Sequence, residues 1–281
     1  MRKKGIFWFT TDLRLDDNSA LKHAAASMDQ LILVYCPEDT ERLSNFQIGP
    51  AISANRHEFL KDSLLDLQKA LGLLNQHIII CQQPVQYLSQ IIENYAISHV
   101  FRSGGQHCLN SSSWNELNAK YPIVEFTEIG SNRLFNAQQL PFEIHNLPSS
   151  FSKFRRKVEK IEILPPQSAV TYLPPAIIDP IDWPAIFSNS FSDTEMDFVG
   201  GHTAGFSHLE NYFQSSLAST YKQTRNGLDG MDYSTKFSPW LALGCLSARR
   251  IIERLKQYES EVVANDSTYW LFFELLWREF F

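Results

Sequence analysis

The chain has 281 residues, 44% hydrophobic and 20% charged, with a formal net charge of −6. Such a length suggests about two domains of roughly 100–200 residues, and the composition is that of an ordinary globular protein. The acidic balance excludes a whole-surface polyanion binder but leaves room for a local basic face. Four cysteines, Cys36, Cys81, Cys108 and Cys245, form no CxxC pair and have no histidine at zinc-ligand spacing. No metal site is therefore expected, and a reduced, cytoplasmic setting fits best. The start, MRKKGIFWF, is too short in apolar residues for a signal peptide, and no apolar run approaches the ~20 residues of a membrane span.

In chain order, Gly5–Phe9, Leu31–Cys36, His77–Cys81 and His99–Phe101 are short apolar runs that predict buried strands, with Ile123–Phe126 a weaker fifth. Asp17–Ala26 and Val85–Tyr95 predict helices, and Leu60, Leu64, Leu67 and Leu71 recur at spacings of 4, 3 and 4 on another. Strand–helix repetition with continuous apolar strands implies a parallel, doubly wound sheet covered on both faces. No GxGxxG or GxxxxGK[ST] occurs, and Gly104-Gly105 reads as a turn rather than a dinucleotide loop.

Residues 161–200 hold Pro165, Pro166, Pro174, Pro175, Pro180 and Pro184, which predicts an irregular connector across the surface. From Gly200 the pattern becomes helical. Phe206, Leu209, Phe213, Leu217 and Tyr221 share one face. Ser247 is expected to cap a helix with Ile251, Leu255 and Tyr258 on its buried side, and Ser267 to cap a last helix reaching Phe281.

Three stretches could carry chemistry. In Tyr233–Trp240, Ser238 before Pro239 predicts a capped helix start. Ser234, Thr235 and Lys236 precede it, so the segment is either a phosphate cradle or a plain well-capped helix. Trp270–Phe281 is apolar nearly all round and should be buried, yet carries Glu274, Arg278 and Glu279. Glu274 and Arg278 are one turn apart and can pair. The alternatives are a structural ion pair between helices and a pocket with a carboxylate, an aromatic wall of Trp270 and Trp277, and a cation. Lys222 and Arg225 in Tyr221–Asn226 either favour a helix dipole or meet phosphate. Lys153, Arg155, Arg156, Lys157 and Lys160 read as a solvated basic helix face.

Taken in order, these stretches resemble the photolyase/cryptochrome family, and within it the DASH branch. Trp8-Phe-Thr-Thr-Asp-Leu-Arg-Leu-Asp-Asp-Asn-Ser-Ala-Leu21 is similar to the family opening WFRxDLRxxDNxAL. Leu140–Pro148 with Phe154–Glu159 resembles LPF…LP…FRKxVE. Tyr221–Asn226, Tyr233–Ala242, Gly244–Arg249, Tyr269-Trp270 and Phe273–Glu279 follow in family order. The resemblance implies an α/β antenna domain at 1–130, a linker at 131–199 and, at 200–281, the first part of an all-α FAD-binding domain. The rest of the flavin pocket, the neighbour of the flavin's reactive nitrogen and the electron-relay tryptophans would then lie beyond Phe281.

By the same resemblance, Tyr221, Ser234, Thr235, Lys236, Phe237, Ser238 and Arg278 hold FAD, while Arg225, Glu274 and Trp277 face the DNA lesion. Trp277 would stack on a flipped pyrimidine dimer and Glu274 would bond a base edge, as extruded bases require. The implied activity is blue-light repair of cyclobutane pyrimidine dimers, preferably in UV-damaged single-stranded DNA, by a monomer. A 5,10-methenyltetrahydrofolate antenna is implied, with Glu143 a candidate contact. The alternatives are a photoreceptor or DNA-binding regulator on the same scaffold, and a piece without activity of its own. Two departures from the family pattern stand out: Thr10 where arginine is usual, and His202 where glutamate is usual.

Overall fold

A computed structural model describes residues 2–37, 53–104, 111–184, 187, 198–227 and 230–281. Gly105 and Cys108 lie outside the described residues. Five parallel strands form one sheet: β1 (Lys4–Phe9), β2 (Gln30–Tyr35), β3 (Ile78–Ile80), β4 (His99–Gly104) and β5 (Glu125–Gly130), in the order β3-β2-β1-β4-β5. The chain is thus doubly wound, as expected. Period-2 alternation sends Phe7 and Phe9 to one face and Ile6 and Trp8 to the other, and two separate cores result. The apolar runs are continuous because both faces are covered.

The weak fifth strand begins two residues later than expected and runs four residues further. Ile123 is almost fully exposed, and pairing starts at His99↔Glu125 and ends at Gly104↔Gly130. An edge strand needs less apolar surface, so its polar residues hid it.

Helix α1 (Ser19–Ser27) is capped by Asn18, whose side chain accepts the Leu21 amide at 3.0 Å. In α2 (Ala54–Gly72) the four leucines are buried. After α3 (Pro84–Tyr95) comes α4 (Ser111–Lys120), which the sequence did not announce, since it buries only Trp114 and Leu117. Beyond β5, α5 (Phe151–Val158) buries Phe151, Phe154 and Val158. The proline-rich connector runs beside the sheet: Leu31 and Ala176 form an isolated parallel bridge, and Gln76 Nε2 donates to the Pro174 carbonyl at 2.6 Å.

Among the described residues the helical part holds α6 (His202–Gln214), α7 (Leu217–Thr224), α8 (Ser238–Leu243), α9 (Ala248–Glu261) and α10 (Asp266–Phe280). The face drawn through Phe206, Leu209, Phe213 and Leu217 is broken at Ser215. Its hydroxyl donates to the Tyr212 carbonyl at 2.7 Å and accepts the Leu217 amide, competing with the helical ladder. Phe206 is exposed. Ser247 caps α9 through the Arg250 amide at 3.0 Å. The cap of α10 is Asn265 rather than Ser267: its side chain accepts from both Ser267 and Thr268 amides, and Thr268 returns a bond to the Asn265 amide in a capping box.

The loop after β1 locks the sheet to these helices. Arg14 is buried, and its guanidinium donates to the carbonyls of Asp16, Asp17, Ser131 and Gly244 and to Asn132 Oδ1, all within 3.0 Å. Asp17, also buried, accepts from Ser247 Oγ at 2.5 Å, the Gln167 amide at 2.8 Å, and Arg249 Nε and Nη2 at 3.1 and 2.7 Å. Arg250 grips Asp16 with two nitrogens. Gly244, at φ +67°, ends α8 against this loop, where a Cβ would lie 1.8 Å from the Thr11 carbonyl oxygen. On the other side, Asp62, Ser63 and Asp66 of α2 accept the amides of Gly200, Gly201 and Thr203 at the start of α6. Asp17→Ala should therefore cost roughly 3–5 kcal/mol by stranding Arg249, read as a lower urea midpoint. Gly244→Ala should lower the midpoint as well, with no change in far-ultraviolet dichroism before the transition.

Candidate functional site

A cavity of about 360 Å³ opens between α7, α8, α9 and α10, lined by Tyr221, Thr235, Phe237, Ser238, Leu241, Ala242, Ile251, Leu271, Glu274, Leu275 and Arg278. Five of the seven residues assigned to a cofactor by resemblance share this wall, and Glu274 joins them. Ser234 and Lys236 do not line it; they shape the loop instead. Both have left-handed backbone, at φ +57° and +55°, costly for residues with a Cβ. Lys236 is followed by right-handed Phe237 at φ −71°, ψ −16°, and an alternation of this kind turns successive amides into an anion-binding concavity.

The helix starts one residue away from the expected arrangement. Phe237, not Ser238, holds the cap position of α8 and makes no side-chain cap bond, while Ser238 is the first helical residue. The Ser238 side chain is thereby left to the cavity wall. The loop is pinned from behind by His208 Nε2, which donates to the Thr235 carbonyl at 2.8 Å.

The charges distribute differently from the expected Glu274–Arg278 pair. Glu274 accepts from Arg225 Nη1 across helices at 2.6 Å, and the Arg225 guanidinium lies 4.2 Å over the Trp270 ring. Arg278 instead donates to the Asn132 carbonyl at 2.9 Å. A partner on a neighbouring helix with an aromatic platform outcompetes one a turn away on the same helix. Burial draws the Arg278 pKa down, opposed by Glu279. Burial likewise raises that of Glu279, although the amides of Leu134 and Phe135 and the charges of Arg133 and Arg278 favour its carboxylate. The Tyr221 phenol is pushed up to about 12, first by burial and then by Glu274, with Arg225 opposing. It faces the cavity as a protonated hydroxyl.

Trp277 lies off the cavity. Its ring stacks on Phe151 of α5 at 3.6 Å between centroids and 12° between planes. Phe151 has no signal in the sequence as a site residue, because the contact joins segments far apart along the chain. The apolar lining residues were within reach: Leu271, Glu274, Leu275 and Arg278 fall at i, i+3, i+4 and i+7 on α10.

Of the remaining candidates, Lys222 pairs with Asp266 at 2.9 Å. Arg155 pairs with Glu159 at 3.3 Å and lies over the Phe273 ring. Glu143 sits on an exposed turn with its carboxylate 3.1 Å from His145 Nε2, in a shallow depression lined also by Leu140, Phe142 and Ile144. Thr10 is buried, its amide donating to Asp12 at 2.8 Å and its hydroxyl without a partner among the described residues. His202 Nδ1 bonds the Cys245 carbonyl at 2.9 Å. Cys36, Cys81 and Cys245 are buried, and none of them is in a disulfide. No helix among the described residues is long and apolar enough to cross a membrane.

The sequence profile of the DNA photolyase family matches residues 5–172. The cryptochrome DASH of Vibrio parahaemolyticus is 43% identical over 284 residues, covering 100% of this chain and 63% of that protein. Its Arabidopsis thaliana namesake, labelled chloroplastic/mitochondrial, is 36% identical over 100% of this chain and 52% of its own length. The chain thus spans less than two thirds of these relatives. Among solved structures, Synechocystis sp. PCC6803 cryptochrome superposes with a TM-score of 0.86 at 34% identity, covering 100% of this chain and 61% of that one. A class III photolyase from Agrobacterium tumefaciens shares the fold, with a TM-score of 0.81 at 20% identity over 100% of this chain and 58% of that one.

Glu279 has a pH signature. A carboxyl whose folded pKa is raised binds its proton more tightly in the folded state, so its contribution is fully present below its ordinary value near 4.5 and is lost as pH rises through the folded value. Glu279→Gln should remove that loss: between pH 4.5 and 7, the wild-type stability in urea should fall relative to the variant.

Proposed function

The chain belongs to the DNA photolyase family, within the photolyase/cryptochrome group, and from that membership we propose that it is a blue-light FAD flavoprotein that binds DNA and repairs cyclobutane pyrimidine dimers, preferably in single strands. The observation that carries the reading is the shared cavity of Tyr221, Thr235, Phe237, Ser238, Glu274 and Arg278. Its size lies at the lower end of ligand pockets.

The residues suit FAD. An apolar wall of Leu241, Ala242, Ile251, Leu271 and Leu275 fits a flat ring system, and the hydroxyls and turned amides of the Thr235–Ser238 loop fit its phosphates. Arg278 adds a buried cation and Tyr221 a hydroxyl. Bound FAD would supply photoinduced single-electron transfer to the dimer. The chain's own residues would bind and orient. Glu274, held by Arg225, presents a carboxylate to a base edge, and Trp277 offers a stacking face to an extruded pyrimidine. The apolar lining keeps water from the site. Single-stranded substrate suits such a site, since an unpaired dimer costs less to extrude.

On this reading residues 1–130 are the antenna domain, 131–199 the linker and 200–281 the flavin-binding part of a cytoplasmic monomer. The depression around Glu143 takes a 5,10-methenyltetrahydrofolate antenna.

Near-ultraviolet to blue illumination of the reduced protein, extended to the full length of its relatives, with a dimer-containing single-stranded oligonucleotide should restore thymine absorbance. No recovery against a dark control would sink the repair activity and leave a light receptor. Trp277→Ala should weaken binding of that oligonucleotide on the order of tenfold to a hundredfold, the worth of one base stack, with flavin absorbance unchanged.

A further inference from the structure

Helix α6 gives no residue to the cavity lining, yet it backs the loop that does. His208 and Tyr212, one turn apart on α6, make the contact. Tyr212 meets Phe237 at 5.2 Å between ring centroids, and His208 meets Phe237 at 5.6 Å and stacks on Trp240 at 5.0 Å. Phe237 and Trp240 are buried, and Trp240 is held in turn by its Nε1 bond to the Val199 carbonyl at 3.0 Å. Gly205, a turn before His208, lets α6 come close: a Cβ there would lie 2.7 Å from the Trp240 ring. Two buried aromatic rings therefore set the plane of the imidazole, and with it the direction of its Nε2 bond to the Thr235 carbonyl at 2.8 Å. A carbonyl only accepts, so Nε2 carries the proton.

Thr235 stands between Ser234 and Lys236, both in left-handed backbone. Two such residues in three persist only where the surroundings over-determine them. The Thr235 carbonyl and the Lys236 amide belong to one planar, trans peptide unit, so the C=O and the N–H point in opposite directions. With the carbonyl turned to α6, the Lys236 amide is turned away from it. The residues on either side of that amide, Thr235 and Phe237, line the cavity.

We propose that His208 is a positioning residue: it locks this peptide plane and so aims the Lys236 amide at the phosphates of a bound dinucleotide. The loop then selects FAD over flavins that lack the diphosphate. The inference rests on the reading of the cavity as a FAD site. His208 acts only through the loop, and its donor is the group that matters, not its ring.

The variants H208F, which keeps a ring and loses the donor, and H208Q, which keeps a donor near the Nε2 position and loses the ring, separate the two. Both are made in the protein extended to the full length of its relatives, stripped of flavin and checked by thermal melting. Titration with FAD and with riboflavin, read by flavin fluorescence, gives the affinities. H208F should weaken FAD about tenfold, the worth of one such hydrogen bond, and leave riboflavin within twofold of the parent. H208Q should bind both as the parent does. In the flavin-free proteins, amide exchange over residues 234–238 should rise in H208F and stay at the parent rate in H208Q. Parent-like FAD affinity or parent-like exchange in H208F overturns the lock and leaves the proposed function standing. So does H208Q failing alongside H208F, which would assign the effect to packing on Trp240, and so does an equal loss of FAD and riboflavin. A parent that binds neither flavin overturns the proposed function, and the lock falls with it.

Discussion

Everything in this fold that approaches a site depends on one buried carboxylate. Asp17 takes four hydrogen bonds, from Ser247, Gln167 and the two arms of Arg249, and thereby ties the loop after β1, the connector and the start of α9 into one node. Arg14 does the complementary work, donating to the backbone carbonyls of Asp17 in the same loop, Ser131 after β5 and Gly244 at the end of α8. Two ions removed from water are costly unless every lone pair and proton is matched, and here they are. The gain is geometric. With α9 fixed on the sheet, the cavity wall at Ile251 and the loop at Gly244 have a single place to be. The low-dielectric surroundings that make the node expensive also make it hard to deform.

The candidate site repeats that logic with less burial. Arg225 and Glu274 are partly open to solvent, so their pairing is worth less than that of Asp17 and Arg249. The guanidinium gains a second partner in Trp270, which fixes the direction from which it approaches the carboxylate. Tyr221, Arg278 and Glu279 are pushed toward their neutral forms by burial. The wall thus offers hydrogen-bond donors and one oriented carboxylate, with few free charges, as suits a ligand that is largely flat and apolar with a charged tail.

Much of this was legible in the sequence because it is periodic. Buried parallel strands betray themselves by unbroken apolar runs, and α2 by its leucine spacing. What escaped has no local signature. Glu125–Gly130 is an edge strand with polar alternation, and Ser111–Lys120 buries too few side chains to show a stripe. The caps of α8 and α10 were misplaced by one and two residues, because serine, asparagine and proline compete for the same turn and the winner is set by which amides it can reach. The Arg225–Glu274 and Phe151–Trp277 contacts join helices remote in sequence. A helical repeat predicts that each side chain will want a partner, not which one it takes. The family resemblance supplied the grouping of Tyr221 with Thr235–Ser238 and Arg278; the spacing on α10 alone pointed to the leucines beside them.

The stack of Phe151 on Trp277 changes what occupancy of that tryptophan means. With one indole face already covered at contact distance, a planar guest that wants this face cannot simply be added; it must replace a resident ring. Association becomes an exchange in which the lost Phe151 contact is subtracted from the new one. The apparent affinity of that face is scaled by the fraction of molecules with Phe151 withdrawn. Weak, transient guests lose such a competition, and only a ring system with more area or better-matched polarisation wins it. Phe151 thus works as a tenant whose eviction sets a threshold for entry.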